Sequence, residues 1–353
     1  MDRNRRAAVP MALGVVAAAC FATSFVLNRE MSVAGGSWLW SASLRYLFML
    51  PPLVLLVWIR GGLPGVVRSL RARPGAWLGW STVGFGLFYA PLTWASQEGA
   101  GWLLAATWQL VIVAGIVIGG RVPGRTLAVS LLIVAGVALA QTQNAHGMDA
   151  GTVARVVVPV LVAAVAYPLG NRKLLGRDGL DGVQRTLAMT LGSLPLWVAL
   201  AATAGLRVGA PGRDQVVQCL IVALASGVVA TTLFFRATDL VRDRPAALGA
   251  VEATQAAEVP FTLAGEALVT GIAPPTPTAW TGLALIVGGL CLHALHQPPA
   301  VEPEEGGEAS KAAPEAGEPP GPRHPGRAAQ GQPDRQRQQG QQRQIVAVSI
   351  TKR

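Results

Sequence analysis

Ten apolar stretches, each close to the length needed to cross a bilayer, fill residues 10 to 296. They run at 10–28, 36–59, 75–96, 101–120, 126–142, 152–170, 185–205, 215–237, 246–268 and 278–295. A tilted helix needs roughly 20 apolar residues to span about 30 Å of hydrocarbon, and only helices or closed barrels satisfy their backbone polar groups there. The chain is 51% hydrophobic and 14% charged, whereas soluble domains are about 25% charged. The expected fold class is an all-α integral membrane protein with ten transmembrane helices, and the lipid bilayer is its first partner. The 41 glycines read as close helix packing.

A net charge of +10 suggests nucleic acid at first sight. The arginines instead sit between spans, and on one side. If the N-terminus is cytoplasmic, the inner segments hold Arg3, Arg5, Arg6, Arg60, Arg68, Arg71, Arg73, Arg121, Arg125, Arg172, Lys173, Arg177, Arg242 and Arg244. The outer segments hold Arg29, Arg207 and Arg213. Such a bias sets orientation by the positive-inside rule. Both termini are therefore expected in the cytoplasm, in a multi-pass protein of the cell membrane with no nucleic-acid partner.

The second five spans echo the first five. Leu132-Ile133-Val134-Ala135-Gly136 of span five matches Leu285-Ile286-Val287-Gly288-Gly289 of span ten. Leu87-Phe88-Tyr89 matches Leu233-Phe234-Phe235, and the same offset pairs Gln109 of span four with Gln255 of span nine. Arg45 of span two faces Arg185 of span seven in a weaker match, and Asn28-Arg29 and Asn171-Arg172 close spans one and six. An odd number of spans per repeat forces the halves into opposite orientations. Two inverted five-helix repeats are the architecture of secondary carriers, with the site between repeats near the bilayer midplane. The domain reading is a cytoplasmic N-terminus at 1–9, repeats at 10–146 and 147–296, and a disordered cytoplasmic tail at 297–353. The tail is rich in Pro, Glu, Gly, Gln and Arg, and too polar to bury a core.

Ionisable groups inside spans usually face a cavity or a partner, because burying them in hydrocarbon is costly. Span nine carries Glu252, Gln255, Glu258 and Glu266, with Pro260 among them. At 100° per residue the first three fan across a wedge of about 120°. Pro260 removes a backbone hydrogen bond near Ala256 and should kink or loosen the helix there. A carboxylate in a low-dielectric cavity can bind and release a proton near neutral pH, and it can also hold a cation. Glu252 and Glu258 are the first candidates, with an ion pair to Arg45 or Arg185 as the structural alternative. Glu266, near the span's end, reads as structural. Span four supplies Thr107, Trp108 and Gln109, of which Trp108 can stack on a flat or cationic molecule. Trp102 is expected in an interfacial aromatic belt. Arg45 can pair with a carboxylate, bind an anionic substrate or reach the interface, and snorkelling is the simplest reading of Arg185. Tyr89, Asn28 and Tyr167 are further cavity candidates.

No GxxxxGK[ST] phosphate loop occurs, and no nucleophile or metal constellation stands out. No cofactor and no enzymatic activity are expected.

The stretches Ser24-Phe25-Val26-Leu27-Asn28-Arg29 and Gly35-Gly36-Ser37-Trp38-Leu39-Trp40-Ser41-Ala42-Ser43-Leu44-Arg45-Tyr46 resemble the multidrug resistance efflux transporter family of the drug/metabolite transporter superfamily. Gly84-Phe85-Gly86-Leu87-Phe88-Tyr89-Ala90-Pro91-Leu92, then Gly101-Trp102 and Thr107-Trp108-Gln109, resemble it too. The resemblance covers residues 10 to about 296. Gly265-Glu266 matches a Gly-Glu pair frequent late in the superfamily's ninth span, where the first half has Gly119-Gly120. The resemblance implies ten helices and drug export. Together with the acidic wedge it leads to the expectation of a proton-coupled exporter of small organic, cationic molecules working by alternating access. A carrier of a metabolite such as an amino acid or sugar derivative, in which Arg45 binds the anion and the carboxylates are structural, and a non-transporting scaffold or sensor working through its tail, are the rivals. The discriminating feature is whether the span-nine carboxylates and Gln109 converge on one cavity.

Overall fold

The computed structural model describes residues 3–118, 124–145, 150–269, 271 and 274–295. The tail expected at 297–353 and the repeat boundary at 146–147 lie outside the described residues. Among the described residues all regular structure is helical, and it joins end to end into ten rods, one short helix and a 3₁₀ turn at Arg177–Gly179. The rods are α1 (Arg3–Val33), α2 (Trp38–Ile59), α3 (74–95), α4 (101–118), α5 (Gly124–Ala145), α6 (Ala150–Leu174), α7 (Gly182–Val208), α8 (213–239), α9 (245–269) and α10 (Pro277–Leu295). Each overlaps the span expected for it. The short helix, Leu63–Ala72, buries Val66 and Ser69 and exposes Arg68 and Arg71.

Five stretches are long and apolar enough to cross a membrane: Ala8–Val33, Trp38–Ile59, Val153–Leu174, Gly182–Val208 and Arg213–Asp239. Gly101–Gly115, Ala128–Thr142 and Pro277–Leu290 are apolar but shorter. Large apolar side chains such as Val16, Leu55, Leu87, Val162, Leu220 and Phe261 point outward. A soluble monomer rarely exposes extended apolar patches, whereas hydrocarbon accepts them.

Four rods are interrupted, and the interruptions occur in corresponding pairs. A π-helical segment lies at Thr82–Gly86 in α3 and another at Ala223–Ala230 in α8. The α4 rod breaks at Gln109, and α9 passes through a 3₁₀ turn at Thr254–Ala257. The second break follows from Pro260, which has no N–H for the Ala256 carbonyl. No proline explains the first, which is set by packing.

The packing itself obeys the repeat. The α1 rod lies against α8 and α9, and α6 lies against α3 and α4. The α2 rod meets α3 and α8, and α7 meets α8 and α3. Three rods pack on their own counterparts: α2 on α7, α4 on α9, α5 on α10. These neighbour relations are unchanged when each rod is exchanged with the one five places on. The α5–α10 crossing repeats the relation at residue level. A Cβ on Gly136 would lie 2.9 Å from Ile286, and one on Gly289 would lie 2.9 Å from Ile133. Gly136 and Gly289 are the matched glycines of the two LIVxG segments, and Ile133 and Ile286 their matched isoleucines. The motif that looks generic in sequence is a self-complementary helix crossing, the isologous pattern of two-fold contacts.

One carboxylate ties the halves together at the other end of α4. Glu266, fully buried, accepts the N–H groups of Gly101 at 2.7 Å and Trp102 at 2.8 Å, one on each oxygen. These are orphan donors of the first turn of α4, where an anion is favoured. The structural role expected of Glu266 thus has a concrete form. Trp102 is buried rather than in an interfacial belt, since this clamp draws the start of α4 inside the bundle.

Two stability predictions follow from these contacts. A Cβ on Gly282 would meet backbone atoms of Gly136 and Ala140 at 2.5 and 2.6 Å, whereas one on Gly288 meets nothing within 4 Å. Gly282→Ala should therefore cost about 1–3 kcal/mol and lower the melting temperature in detergent, while Gly288→Ala should leave it unchanged. Glu266→Gln replaces one acceptor oxygen with a donor facing an N–H. It should cost roughly 1–3 kcal/mol, read in the same melting assay.

Candidate functional site

The two broken rods meet at their breaks. Gln109, fully buried, donates from Nε2 to the Ala105 carbonyl at 3.0 Å and to the Gln255 carbonyl at 3.2 Å. At the α4 break the Gln109 amide turns to Ala106 instead of closing the regular i→i−4 bond. The side chain of Gln109 serves the carbonyl left over. The bond to Gln255 joins residues 146 apart, which is the repeat offset. Repeat-equivalent glutamines therefore touch at the junction of the halves.

A small cavity lies on each side of that junction, and Gln255 lines both. The first is walled by Phe21, Ser24 and Phe25 of α1, Phe88, Tyr89 and Leu92 of α3, Trp108, Ser226, Gln255 and Glu258. The second is walled by Val111, Ile112 and Gly115 of α4, Tyr167, Pro168, Asn171 and Arg172 of α6, Phe234, Glu252 and Gln255. Under the repeat alignment Ser24 corresponds to Tyr167, Phe25 to Pro168, Phe88 to Phe234, and Glu258 to Ile112. The two linings correspond at these four positions, and only the first has a carboxylate at the last of them. Each measures about 20 Å³, room for about one water molecule. This conformation is closed around the site.

Charges around the cavities are treated unequally. Glu252 forms an ion pair with Arg172 at 3.4 Å, about a quarter exposed. Arg185 is 1% exposed and donates to Asp239 at 2.8 Å, with Phe235 beneath its guanidinium. Glu258 and Arg45 are 1% and 2% exposed, yet among the described residues neither has an ion-pair partner within 4.0 Å. Arg45 donates to Ser226 Oγ at 3.0 Å and lies 4.0 Å from the Tyr89 ring centre. Ser24 donates to the same Ser226 oxygen at 2.6 Å. Glu258 has one oxygen with no hydrogen-bond partner. An aromatic cluster closes the wall, with Phe88 5.0 Å from Trp108 and 4.9 Å from Tyr167 between ring centres.

Glu258, Gln255, Trp108 and Tyr89 thus share one cavity, with Gln109 bonded to its edge and Arg45 one contact behind it. Glu252 belongs to the other cavity, because six residues of helix place it about 9 Å further along the axis. Its partner is Arg172, not Arg45 or Arg185. Arg185, in the first turn of α7, pairs with Asp239 at the end of α8. Thr107 lines neither cavity. Its hydroxyl donates to Leu103 at 2.8 Å and accepts from Gln141 Nε2, which joins α4 to α5. Asn28 accepts from the Tyr89 hydroxyl at 3.1 Å. Sequence reasoning passed over Ser226, Arg172 and Asp239 as site partners. Ser226, inside an apolar span, carried the only usable signal. The other two sit at span ends, where charge is ordinary.

The chain matches the EmrE family, described as putative multidrug resistance efflux transporters, over residues 8–298. It is 45% identical over 306 residues to the uncharacterized protein YjlA of Bacillus subtilis (strain 168), an alignment covering 81% of this chain and 94% of that relative. It is 47% identical over 264 residues to an uncharacterized 42.1 kDa protein of Shouchella clausii encoded in the intracellular alkaline protease 3′ region, covering 70% of this chain and 69% of the relative. The apolar rods, the outward-facing apolar side chains and this match over nearly the whole helical region lead to one conclusion: the chain belongs to the EmrE family of the drug/metabolite transporter superfamily and is a multi-pass membrane protein of transporter type.

Proposed function

We propose that the protein is a ten-span secondary carrier of two inverted five-span repeats, which exports small amine-bearing organic molecules in exchange for protons. Glu258 is the coupling carboxylate. The observation that carries this reading is a fully buried carboxylate with no counter-charge within 4.0 Å among the described residues, in a cavity beside the junction of repeat-equivalent helices. An isolated ionised carboxylate is too costly to keep buried. It needs a proton or a cation, and a site that alternates between the two couples their movements.

The paired cavities support alternating access. Both halves line each cavity, the two share Gln255, and rocking one half against the other opens them in turn. The aromatic walls suit an apolar body with a cationic head. Arg172 with Glu252 and Arg29 with the Ser96 and Gln97 carbonyls stand at corresponding ends of α6 and α1. They serve as the outer contacts that close each cavity. The arginine distribution supports the cell membrane as location, with both termini in the cytoplasm.

Two experiments test the proposal. Glu258→Gln keeps size and hydrogen bonding but removes titration. In proteoliposomes uphill transport should stop while exchange down the substrate's own gradient survives, and the melting temperature should hold. Full-rate uphill transport by a well-folded Glu258→Gln protein would exclude Glu258 as the coupling group. Glu252→Gln strands Arg172 and should lower the melting temperature, by less than the ~3–5 kcal/mol of a fully buried pair because this one is partly exposed. Orientation is tested with single cysteines in a version lacking Cys20, Cys219 and Cys291. An impermeant reagent applied to intact cells should label sites beside Glu98 and Pro274 and spare those beside Arg68, Arg172 and Arg242; labelling at Arg68 would reverse the topology.

A further inference from the structure

We propose that the protein holds one anionic phospholipid at a fixed site, in the leaflet on the side of the α1–α2 connection. Its phosphate sits beside Arg207 and Arg213, and one acyl chain lies in a groove between α3, α6 and α7. The site shares no lining residue with either Gln255 cavity and does not rest on the carrier reading.

The inference comes from two cavities that share one tryptophan. The first, of about 610 Å³, forms where the α1–α2 connection faces the α7–α8 connection, and Arg207, Arg213, Asp214, Gln218 and Trp38 help to line it. Trp40 Nε1 donates to the Gly209 carbonyl at 2.9 Å and Gln215 Nε2 to the Ser37 carbonyl at 2.8 Å, which ties the two connections together. The second, of about 480 Å³, is an apolar groove between α3, α6 and α7, and Trp38 lines it as well. This groove combines the small Gly86 and Ala90 with Leu87, Val158 and Val162, whose side chains point outward. Along α3 it runs from Thr82 to Trp94. That is about 18 Å of helix, close to the ~15 Å of hydrocarbon in one leaflet.

A cationic pocket joined to an apolar groove of leaflet length matches the two parts of a phospholipid. Arg207 and Arg213 are exposed, and among the described residues neither has an ion-pair partner within 4.0 Å. Asp214 is the one acidic residue of the lining, so the pocket is net positive. The α8 rod begins at Arg213 with no side chain capping its first turn, and such a helix start favours an anion. Gln218 Oε1 is buried without a hydrogen-bond partner and lines the same pocket; a headgroup hydroxyl supplies the donor it lacks. Trp38 stands at the joint, where an indole prefers the boundary between hydrocarbon and headgroups. A soluble anion would use the pocket and leave the groove empty, and an apolar molecule would do the reverse. The repeat shows that the groove is not imposed by helix packing. The offset of 146 puts Thr232 and Arg236 of α8 where α3 has Gly86 and Ala90, and Arg236 is exposed. Bulk and charge at those places do not suit an acyl chain, so the groove belongs to one half alone.

The test uses the full chain purified in mild detergent and phosphatidylglycerol carrying a photoactivatable diazirine on one acyl chain. After illumination, peptide mapping should place the label on residues 82–94, 158–162 and 196–200, the segments that wall the groove. Unlabelled phosphatidylglycerol should compete about fivefold or more better than phosphatidylcholine or phosphatidylethanolamine, the scale expected for a surface arginine meeting an anionic lipid. Combining Arg207→Gln with Arg213→Gln should cut the labelling yield by about fivefold at sub-saturating lipid and erase the preference between headgroups. Ala90→Phe, which fills the groove and leaves the arginines in place, should remove the label from these segments. Label spread evenly over the lipid-facing segments of all rods would overturn the assignment, as would equal competition by the zwitterionic lipids. Equal competition by glycerol phosphate, which has no acyl chain, would reduce the site to one for a soluble anion and overturn it too. So would an undiminished yield in a folded double arginine variant. If the variants do not fold, the label map and the competition series in the unaltered protein decide.

Discussion

The hydrogen bond from Gln109 to the Gln255 carbonyl is the contact on which the rest of the site depends. It joins the breaks of two rods, and a break frees a main-chain carbonyl from its regular partner. In α9 the break is local in origin, because Pro260 cannot donate. In α4 it is tertiary, because Gln109 must serve both its own turn and the facing chain. The bond's acceptor residue, Gln255, lines both small cavities. Any movement that opens one of them must work around it.

Two clamps hold this junction in register. Glu266 fixes the start of α4 by accepting its first free N–H groups, and the α5–α10 crossing locks the rods that flank α4 and α9. The crossing depends on glycines that let main chain approach main chain, the packing mode available where no hydrophobic force separates helix from solvent. Between these fixed points lie the π-helical segments of α3 and α8. Such bulges are frequent at functional sites, and here one of them supplies Ser226.

The economy of charge around the junction separates structure from function. Arg185–Asp239 and Glu252–Arg172 are matched pairs whose loss leaves a buried or half-buried charge behind. Glu258 and Arg45 are equally buried and, among the described residues, have no ion-pair partner. A membrane interior tolerates unmatched ions poorly, so the retention of Glu258 beside a cavity is the feature that the proposed proton exchange accounts for.

Much of this was legible in the chain itself. Apolar run length located nine of the ten rods to within four residues at each end, while α1 starts seven residues earlier and ends five later than its apolar run. The repeat was visible because two halves doing the same packing keep the same residues at the same offsets. Pro260 announced its break, and the acidic wedge of α9 announced the site. The partners were not legible. Arg172 and Asp239 come from rods remote in sequence, and which arginine meets which carboxylate is settled by rotation and height of packed helices. Helical phase put Glu252 and Glu258 on one side of α9, but the axial rise between them places them in different cavities. Composition and periodicity decide what a helix must bury. Only the tertiary structure decides which buried charge is answered and which is left facing the cavity, because that depends on distances between rods that no single helix encodes.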